Sequence, residues 1–404
     1  LDDVNLAALP RLAPVVRRAG LSVRSIHALH ALQTPARVAI VDDAGAMTYS
    51  EVDAAINRIG RAFLTLGISR GDRVVLCMEN RAEYLLFWFA GFRAGIGIVH
   101  AGYRSSPSEL EFLVTHSEAR ALVFSRHTTE AVREVATARP ELELIVVDDV
   151  ALSPRQHRYP EWARPFPSDF FCPGRDVSGD NVVYTSGTTG EPKGAVRDFA
   201  RMGIVELSRI GGRLPIHAGS RHLVVCPLYH SGAQAFATML TALGGTLVLR
   251  PRFEARDALE HLSRWQIHSV FMVPTMIRRI LELEPAVLAR HRTPSLRALL
   301  SGAASFPDAL RRRAIAQFGA AAVWDFYGAT ELGWITLIDG REMQVRRGSV
   351  GRALEGHELC VRDAKGNELP PGRTGTIWVR TGQTMQGYLK NRRATNAAQK
   401  DGWI

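Results

Sequence analysis

From Arg37 onward, short β-branched runs alternate with segments whose apolar residues recur at helical spacing. RVAIVDD, Arg37 to Asp43, has the composition of a strand. T-Y-S-E, Thr48 to Glu51, is a capping box, and it opens a predicted helix whose Val52, Ile56, Ile59 and Phe63 share one face until Gly67 stops it. RVVLCM (Arg73 to Met78) is the next predicted strand, followed by a helix from Glu83 to Arg93. S-P-S-E, Ser106 to Glu109, starts another helix with Pro107 at its first position. ALVFS (Ala121 to Ser125) and LIVVDD (Leu144 to Asp149) read as strands separated by a helix. Repeated strand-helix-strand units predict a mostly parallel, doubly wound sheet.

The texture then changes twice. Pro154, Pro160, Pro165, Pro167 and Pro173 punctuate a stretch with few helical or strand signals, which reads as a connection. A second α/β series follows through HLVVCPLYH, GTLVLR, SVFMVP and AVWDFYG. From Arg346 period-two strands and Gly/Pro turns, HELCVRD and GTIWVR around DAKGNELPPG, predict antiparallel hairpins or a small barrel. The expected fold class is therefore α/β: two doubly wound, mostly parallel subdomains plus a small antiparallel, barrel-like β subdomain. The expected division is an N-terminal arm (1–35), a first α/β subdomain with the Pro-rich connection (36–180), a second (181–338) and the small β subdomain (339–404).

At 404 residues with 46% hydrophobic and 22% charged content, the chain has enough apolar material for two or three subdomains. The apolar run YLLFWFAGF, Tyr84 to Phe92, is shorter than the roughly 18 to 20 residues of a membrane span. No secretory signal is visible, and Cys77, Cys172, Cys226 and Cys360 stand apart without a CxxC pair, so the expectation is a reduced, cytoplasmic protein. Peripheral membrane contact and oligomeric state stay open. Net charge is +10, and all but Lys193, Lys365, Lys390 and Lys400 of the 50 basic residues are arginines. They are scattered and no nucleic-acid signature accompanies them, which argues against a nucleic-acid partner. The balance suits small anionic substrates.

YTSGTTGEPKG, Tyr184 to Gly194, is where chemistry concentrates. Glycines let a backbone approach a ligand and aim successive N–H groups into one concavity, and Ser and Thr hydroxyls add donors without bulk. The composition makes an anion cradle, with phosphates the expected occupant. The Walker pattern fails, because Lys193 is followed by Gly194 instead of a magnesium-binding hydroxyl. Lys193 is the first lysine of the chain, a compact point charge where every earlier cation is an arginine.

With that loop the chain resembles the adenylate-forming superfamily of acyl-CoA synthetases, aryl-CoA ligases, luciferases and peptide-synthetase adenylation domains, whose signature has the form YTSGTTGxPKG. PLYHSG (Pro227 to Gly232), VPTM (Val273 to Met276), SLRALLSGAA (Ser295 to Ala304), YGATE (Tyr327 to Glu331) and GSVGR (Gly348 to Arg352) follow in that family's order. The phrasing of MVPTM, YGATE and GTIWVR looks most like the fatty-acyl-CoA synthetases.

The resemblance implies ATP-dependent activation of a carboxylic acid, expected to be a fatty acid, to acyl-AMP, followed by transfer to coenzyme A, with Mg²⁺. Thr185, Ser186, Gly187, Thr188, Thr189 and Gly190 with Lys193 would hold the β- and γ-phosphates. Thr330 would donate to the α-phosphate and Glu331 would ligate the metal. Tyr327 would stack on adenine, Gly302, Ala303 and Ala304 would let the base lie against backbone, and Asp325 would accept from its amino group. Phe326, Gly328 and Ala329 complete the implied nucleotide site. His230 would stand beside the carboxylate, in an acid pocket with Tyr229, Ser231, Gly232, Ser301, Gly302, Gly328 and Ala329. In relatives, DGWI runs on into a ribose-binding Thr-Gly-Asp, a hinge and a small lysine-bearing C-terminal domain, so the resemblance implies the large domain of a longer protein. Two alternatives remain: an acyl-AMP ligase that loads a carrier protein, and a non-catalytic nucleotide- or acyl-binding domain.

Overall fold

The helix-start signals become real caps. In a computed structural model, Thr48 N donates to Glu51 Oε2 at 2.8 Å and Glu51 N donates to Thr48 Oγ1 at 3.3 Å. The same reciprocal pair joins Ser106 and Glu109. Each such cap stabilises its helix by about 1 kcal/mol. The helix Tyr49–Thr65 buries Val52, Ile56, Ile59 and Phe63, and Gly67 beyond its end adopts the left-handed φ of 67°. The structure describes residues 9–151, 155–174, 179–185, 192–198 and 212–404.

The chain divides into two units. The first takes the described residues within Leu1–Tyr184, Asp198–Leu207 and His217–Phe253. Its strands are β1 (Val38–Asp42), β2 (Gly45–Thr48), β3 (Arg73–Cys77), β4 (Gly97–Ala101), β5 (Ala119–Phe124), β6 (Glu143–Val146), β7 (Gln156–Arg158) and β8 (Asn181–Thr185, its last residue belonging to the second unit), then β10 (Arg221–Val224) and β11 (Thr246–Leu249), with β9 (Lys193–Arg197) in the second unit. Strands in the order β8-β4-β3-β5-β6-β7 are all parallel. A second set, β10-β11-β1-β2, is parallel apart from the antiparallel β1–β2 pair. The expected parallel, doubly wound character is thus present.

The apolar run at Tyr84 lies in the helix Ala82–Ala94, which is buried nearly all round. Among the described residues no helix is long and apolar enough to cross a membrane. A chain of polar groups runs through this core. Tyr84 Oη and His100 Nδ1 are 2.5 Å apart, and His100 Nε2 and Asn181 Oδ1 are 2.7 Å apart. Asn181 Nδ2 donates to Gln234 Oε1 at 2.9 Å. Burial pushes the His100 imidazole down to about 4, so it is neutral at physiological pH. The Pro-rich connection differs from its reading, because β7 adds a short parallel strand beside β6 there. Its register comes from β6, not from a pattern of its own.

The second unit takes the described residues within Thr185–Arg197, Ser208–Ile216 and Glu254–Ile404. Here β12 (Ser269–Met272), β13 (Ala298–Ser301) and β14 (Val323–Ala329) run parallel, and β15 (Gly333–Asp339) and β16 (Arg352–Ala353) continue antiparallel. β17 (Glu358–Arg362) and β18 (Thr376–Arg380) form an antiparallel hairpin, and β19 (Gly387–Tyr388) pairs antiparallel with β9. Of the two forms expected here, antiparallel hairpins or a small barrel, the hairpin is present and no barrel closes among the described residues. The β17–β18 hairpin finds a further backbone partner in Ile404, which exchanges bonds with Val379 at 2.8 and 3.0 Å, and Ile377 stays 42% exposed.

Gly351 explains part of the GSVGR motif. Its φ is 94°, and a Cβ there would meet Leu337 O at 2.1 Å. Gly351→Ala is therefore expected to lower the unfolding midpoint by several degrees, since left-handed strain and a backbone clash together cost on the order of 1–3 kcal/mol. Differential scanning fluorimetry reads this directly; an unchanged midpoint would refute it.

All four cysteines are buried as free thiols. Burial pushes the Cys77 thiol up to about 12.

Candidate active site

Of the glycine-rich loop, Ser186, Gly187, Thr188, Thr189 and Gly190 lie outside the described residues. Its two flanks are described. Thr185 Oγ1 donates to Lys193 O at 3.5 Å, and Lys193 opens β9. The Lys193 ammonium sits 5.7 Å from the centre of the Tyr388 ring, within cation–π range. The Tyr388 hydroxyl in turn donates to Glu331 Oε1 at 2.8 Å. Burial, together with that carboxylate, holds the phenol above its ordinary value, so it remains a proton donor at any physiological pH.

Glu331 occupies the turn between β14 and β15, directly after Thr330. Its carbonyl accepts from Met385 N at 2.7 Å, which ties that turn to the segment carrying Tyr388. Arg197, at the other end of β9, is 6% exposed and donates to Gln383 O at 3.2 Å. Burial lowers its guanidinium to about 10 while the Glu331 carboxylate pulls it upward, so it stays charged at neutral pH. Glu331 thus faces the positive charge of Arg197 and shares Tyr388 with the Lys193 ammonium. No hydrogen bond reaches Glu331 Oε2 among the described residues.

No group of three or more His, Cys, Asp or Glu able to cage a metal exists among the described residues. A single available carboxylate instead fits Mg²⁺, which keeps several waters and takes its other oxygens from phosphates.

The nucleotide-site residues gather at the carboxyl ends of β13 and β14. Ala303, Ala304, Asp325, Phe326, Tyr327 and Gly328 line a cavity of about 540 Å³ with Arg311 and Val350, a size ordinary for small-ligand sites. The β14–β15 register breaks between Tyr327 and Gly328, and such a bulge re-aims side chains. Tyr327 is left 39% exposed. Ala303 holds a φ of 62° at the other wall.

Gly302 and Asp325 each meet a protein side chain. At Gly302 a Cβ would meet the Phe326 ring at 2.6 Å, so that glycine makes room for Phe326, whose ring also packs on Trp334 at 5.1 Å. Asp325 is 3% exposed, and its Oδ2 accepts from Arg311 Nη2 at 2.6 Å. Burial pushes its carboxyl up to about 6, and Arg311 pulls against that shift. Ser301, at the end of β13, is buried, and its hydroxyl has no partner among the described residues. Ala329 ends β14.

Tyr229, His230, Ser231 and Gly232 belong to the first unit. His230 precedes the helix Ser231–Ala242, its ring 4.3 Å from that of Tyr229. Desolvation lowers its imidazole from the ordinary value although the residue is exposed to solvent, and this favours the neutral ring at physiological pH. The Tyr103 ring, 6.1 Å from Tyr229, also carries the guanidinium groups of Arg104 and Arg252 at 5.3 and 5.8 Å.

Sequence reading missed Tyr388, Arg197 and Arg311. Arg197 alone left a trace, as a charge closing the apolar run GAV after the loop.

One α/β unit thus holds Lys193, Glu331 and a ligand-sized cavity walled by the half-exposed Tyr327, a set whose chemistry suits a nucleotide. The chain belongs to the AMP-binding enzyme family, whose profile matches residues 28–389, and so to the adenylate-forming superfamily. It is 29% identical over 386 residues to a feruloyl-CoA synthase from Amycolatopsis, covering 93% of this chain and 73% of that protein. It is 28% identical over 390 residues to the fatty acid–acyl-carrier-protein ligase ScoC from Streptomyces coeruleorubidus, covering 94% and 72%. Its fold matches the crystal structure of the N-terminal domain of FACL13 from Mycobacterium tuberculosis with a TM-score of 0.82, 22% identity and 95% of each chain covered.

Proposed function

We propose that this chain is the acid-activating domain of an AMP-forming acyl-CoA ligase. The acid carboxylate attacks the α-phosphorus of ATP, the bond to the β-phosphate oxygen breaks, and acyl-AMP and pyrophosphate form. The thiol of coenzyme A then attacks the acyl carbonyl, releasing AMP and, after loss of the thiol proton, leaving acyl-CoA. The observation that carries this reading is the meeting of Lys193 and Glu331 around Tyr388, in the same unit as the cavity at Tyr327.

Lys193 would neutralise charge on the departing pyrophosphate, and Thr330 would donate to the α-phosphate. Glu331 would hold Mg²⁺, which supplies charge neutralisation across the phosphates. Tyr327, freed by the bulge, would cover the base. Neutral His230 would offer a hydrogen bond near the acid without fixing the carboxylate as an ion pair, leaving it nucleophilic. The acid we propose is a fatty acid, supported by the phrasing of MVPTM, YGATE and GTIWVR and by the name of ScoC. The relative named for feruloyl-CoA makes aryl acids the competing class.

ScoC's name also keeps a carrier protein in view as acceptor. Mass spectrometry of the products formed by the full-length gene product over fatty and aryl acids, with coenzyme A or a carrier protein as acceptor, separates these outcomes. Acyl-AMP with no acyl-CoA would move the assignment to a carrier-loading ligase. Absence of acyl-AMP from every acid would overturn it.

A further inference from the structure

Tyr388 is assigned no part in the chemistry above, yet it touches both of its charged groups. Its ring lies under the Lys193 ammonium and its hydroxyl is bonded to Glu331 Oε1. The backbone around it binds the same two places. Met385 N donates to Glu331 O, Gln386 N to Val196 O at 2.9 Å, and Leu389 N to Gly194 O at 2.8 Å. Gly387 and Tyr388 pair with Val196 and Ala195 on β9. Five residues thus lace the strand that begins at Lys193 to the turn that carries Glu331.

A glutamate in a turn has several rotamers, and each would place a bound cation differently relative to the phosphate loop. One short hydrogen bond from a phenol removes most of that freedom. It also engages Oε1, and no hydrogen bond among the described residues occupies Oε2. The Gly387 backbone allows no bulk at this point: its φ is 151°, and a Cβ would meet Thr395 at 2.9 Å. The Thr395 hydroxyl accepts from Tyr388 N at 2.9 Å, so the backbone on both sides of the ring is pinned.

We propose that Tyr388 is a positioning residue that orients Glu331 toward a divalent cation and holds it in register with Lys193. This rests on the metal role given to Glu331 above. The ring fixes where the ammonium stands, and the hydroxyl fixes which carboxylate oxygen faces the metal.

The test uses the full-length protein with a non-hydrolysable ATP analogue and Mn²⁺, with metal affinity read by electron paramagnetic resonance. Tyr388→Phe keeps the ring and removes the hydroxyl. It is expected to weaken Mn²⁺ binding about 10-fold, the lower end for losing a residue that orients a metal ligand. Affinity for the metal-free analogue, read by calorimetry, and the thermal midpoint should both stay at wild-type values, which a merely structural tyrosine would not predict. Glu331→Gln is measured alongside. Weakening in both variants supports the proposal. Weakening in Glu331→Gln alone overturns it and leaves the metal site standing. If Glu331→Gln retains wild-type Mn²⁺ affinity, the metal role fails and the proposal falls with it, whatever Tyr388→Phe does.

Discussion

Glu331→Gln is expected to reduce ATP–pyrophosphate exchange by about 100- to 1,000-fold, the usual loss when one charged transition-state contact is removed. Glutamine has nearly the same shape and can still accept the Tyr388 hydrogen bond, so packing of the turn should survive. What disappears is the carboxylate charge that Arg197 faces. The loss should fall mainly on kcat, because the contacts proposed for the base lie at the cavity of Tyr327 and not at Glu331. Raising Mg²⁺ should recover part of the rate, since the phosphates remain as ligands. Exchange measured across a Mg²⁺ series decides the matter: a wild-type rate at every concentration would remove Glu331 from the metal site.

Asp325→Ala should show the largest stability loss of the changes considered. The side chains of Asp325 and Arg311 are each only 5% exposed, and their atoms approach to 2.6 Å. Removing one partner leaves the buried guanidinium with only the Asp308 carboxylate, 3.9 Å away, and breaking such a buried pair costs about 3–5 kcal/mol. Arg311 keeps its bond from Nη1 to Ser349 O at 2.9 Å, which places the expectation at the low end. Replacing both at once, Asp325→Leu with Arg311→Met, should recover much of the loss, because no lone charge remains. Urea unfolding of the two variants and the wild type reads the difference. If the double variant is the less stable of the two, the cost lies in packing and not in charge.

Local rules carried far along this chain. Thr48 and Ser106 cap helices because the residues they need, Glu51 and Glu109, stand three positions away and can be read by eye. The strands before each helix were legible for the same reason: their β-branched runs need no distant partner to be seen. β7 was not, since three residues carry no pattern and β6 alone sets their register. The barrel-like reading at the C-terminal end overreached because alternation shows which residues face inward but not how many strands will share them. Within the candidate site, Lys193 and Glu331 were legible through the resemblance. Tyr388 stands 57 positions from Glu331, and Arg311 is one of three consecutive arginines. Nothing local marks either, because only the folded sheet brings them to their partners.

The buried thiols give this molecule an internal clock. A thiol reagent attacks only when the packing over a cysteine opens and the sulfur can lose its proton, so labelling rate becomes a measure of how often each region breathes. Cys360 lies in the second unit, and Cys77, Cys172 and Cys226 lie in the first. Reaction at Cys360 and at the other three therefore times the opening of the two units separately, with no dye or label engineered into either.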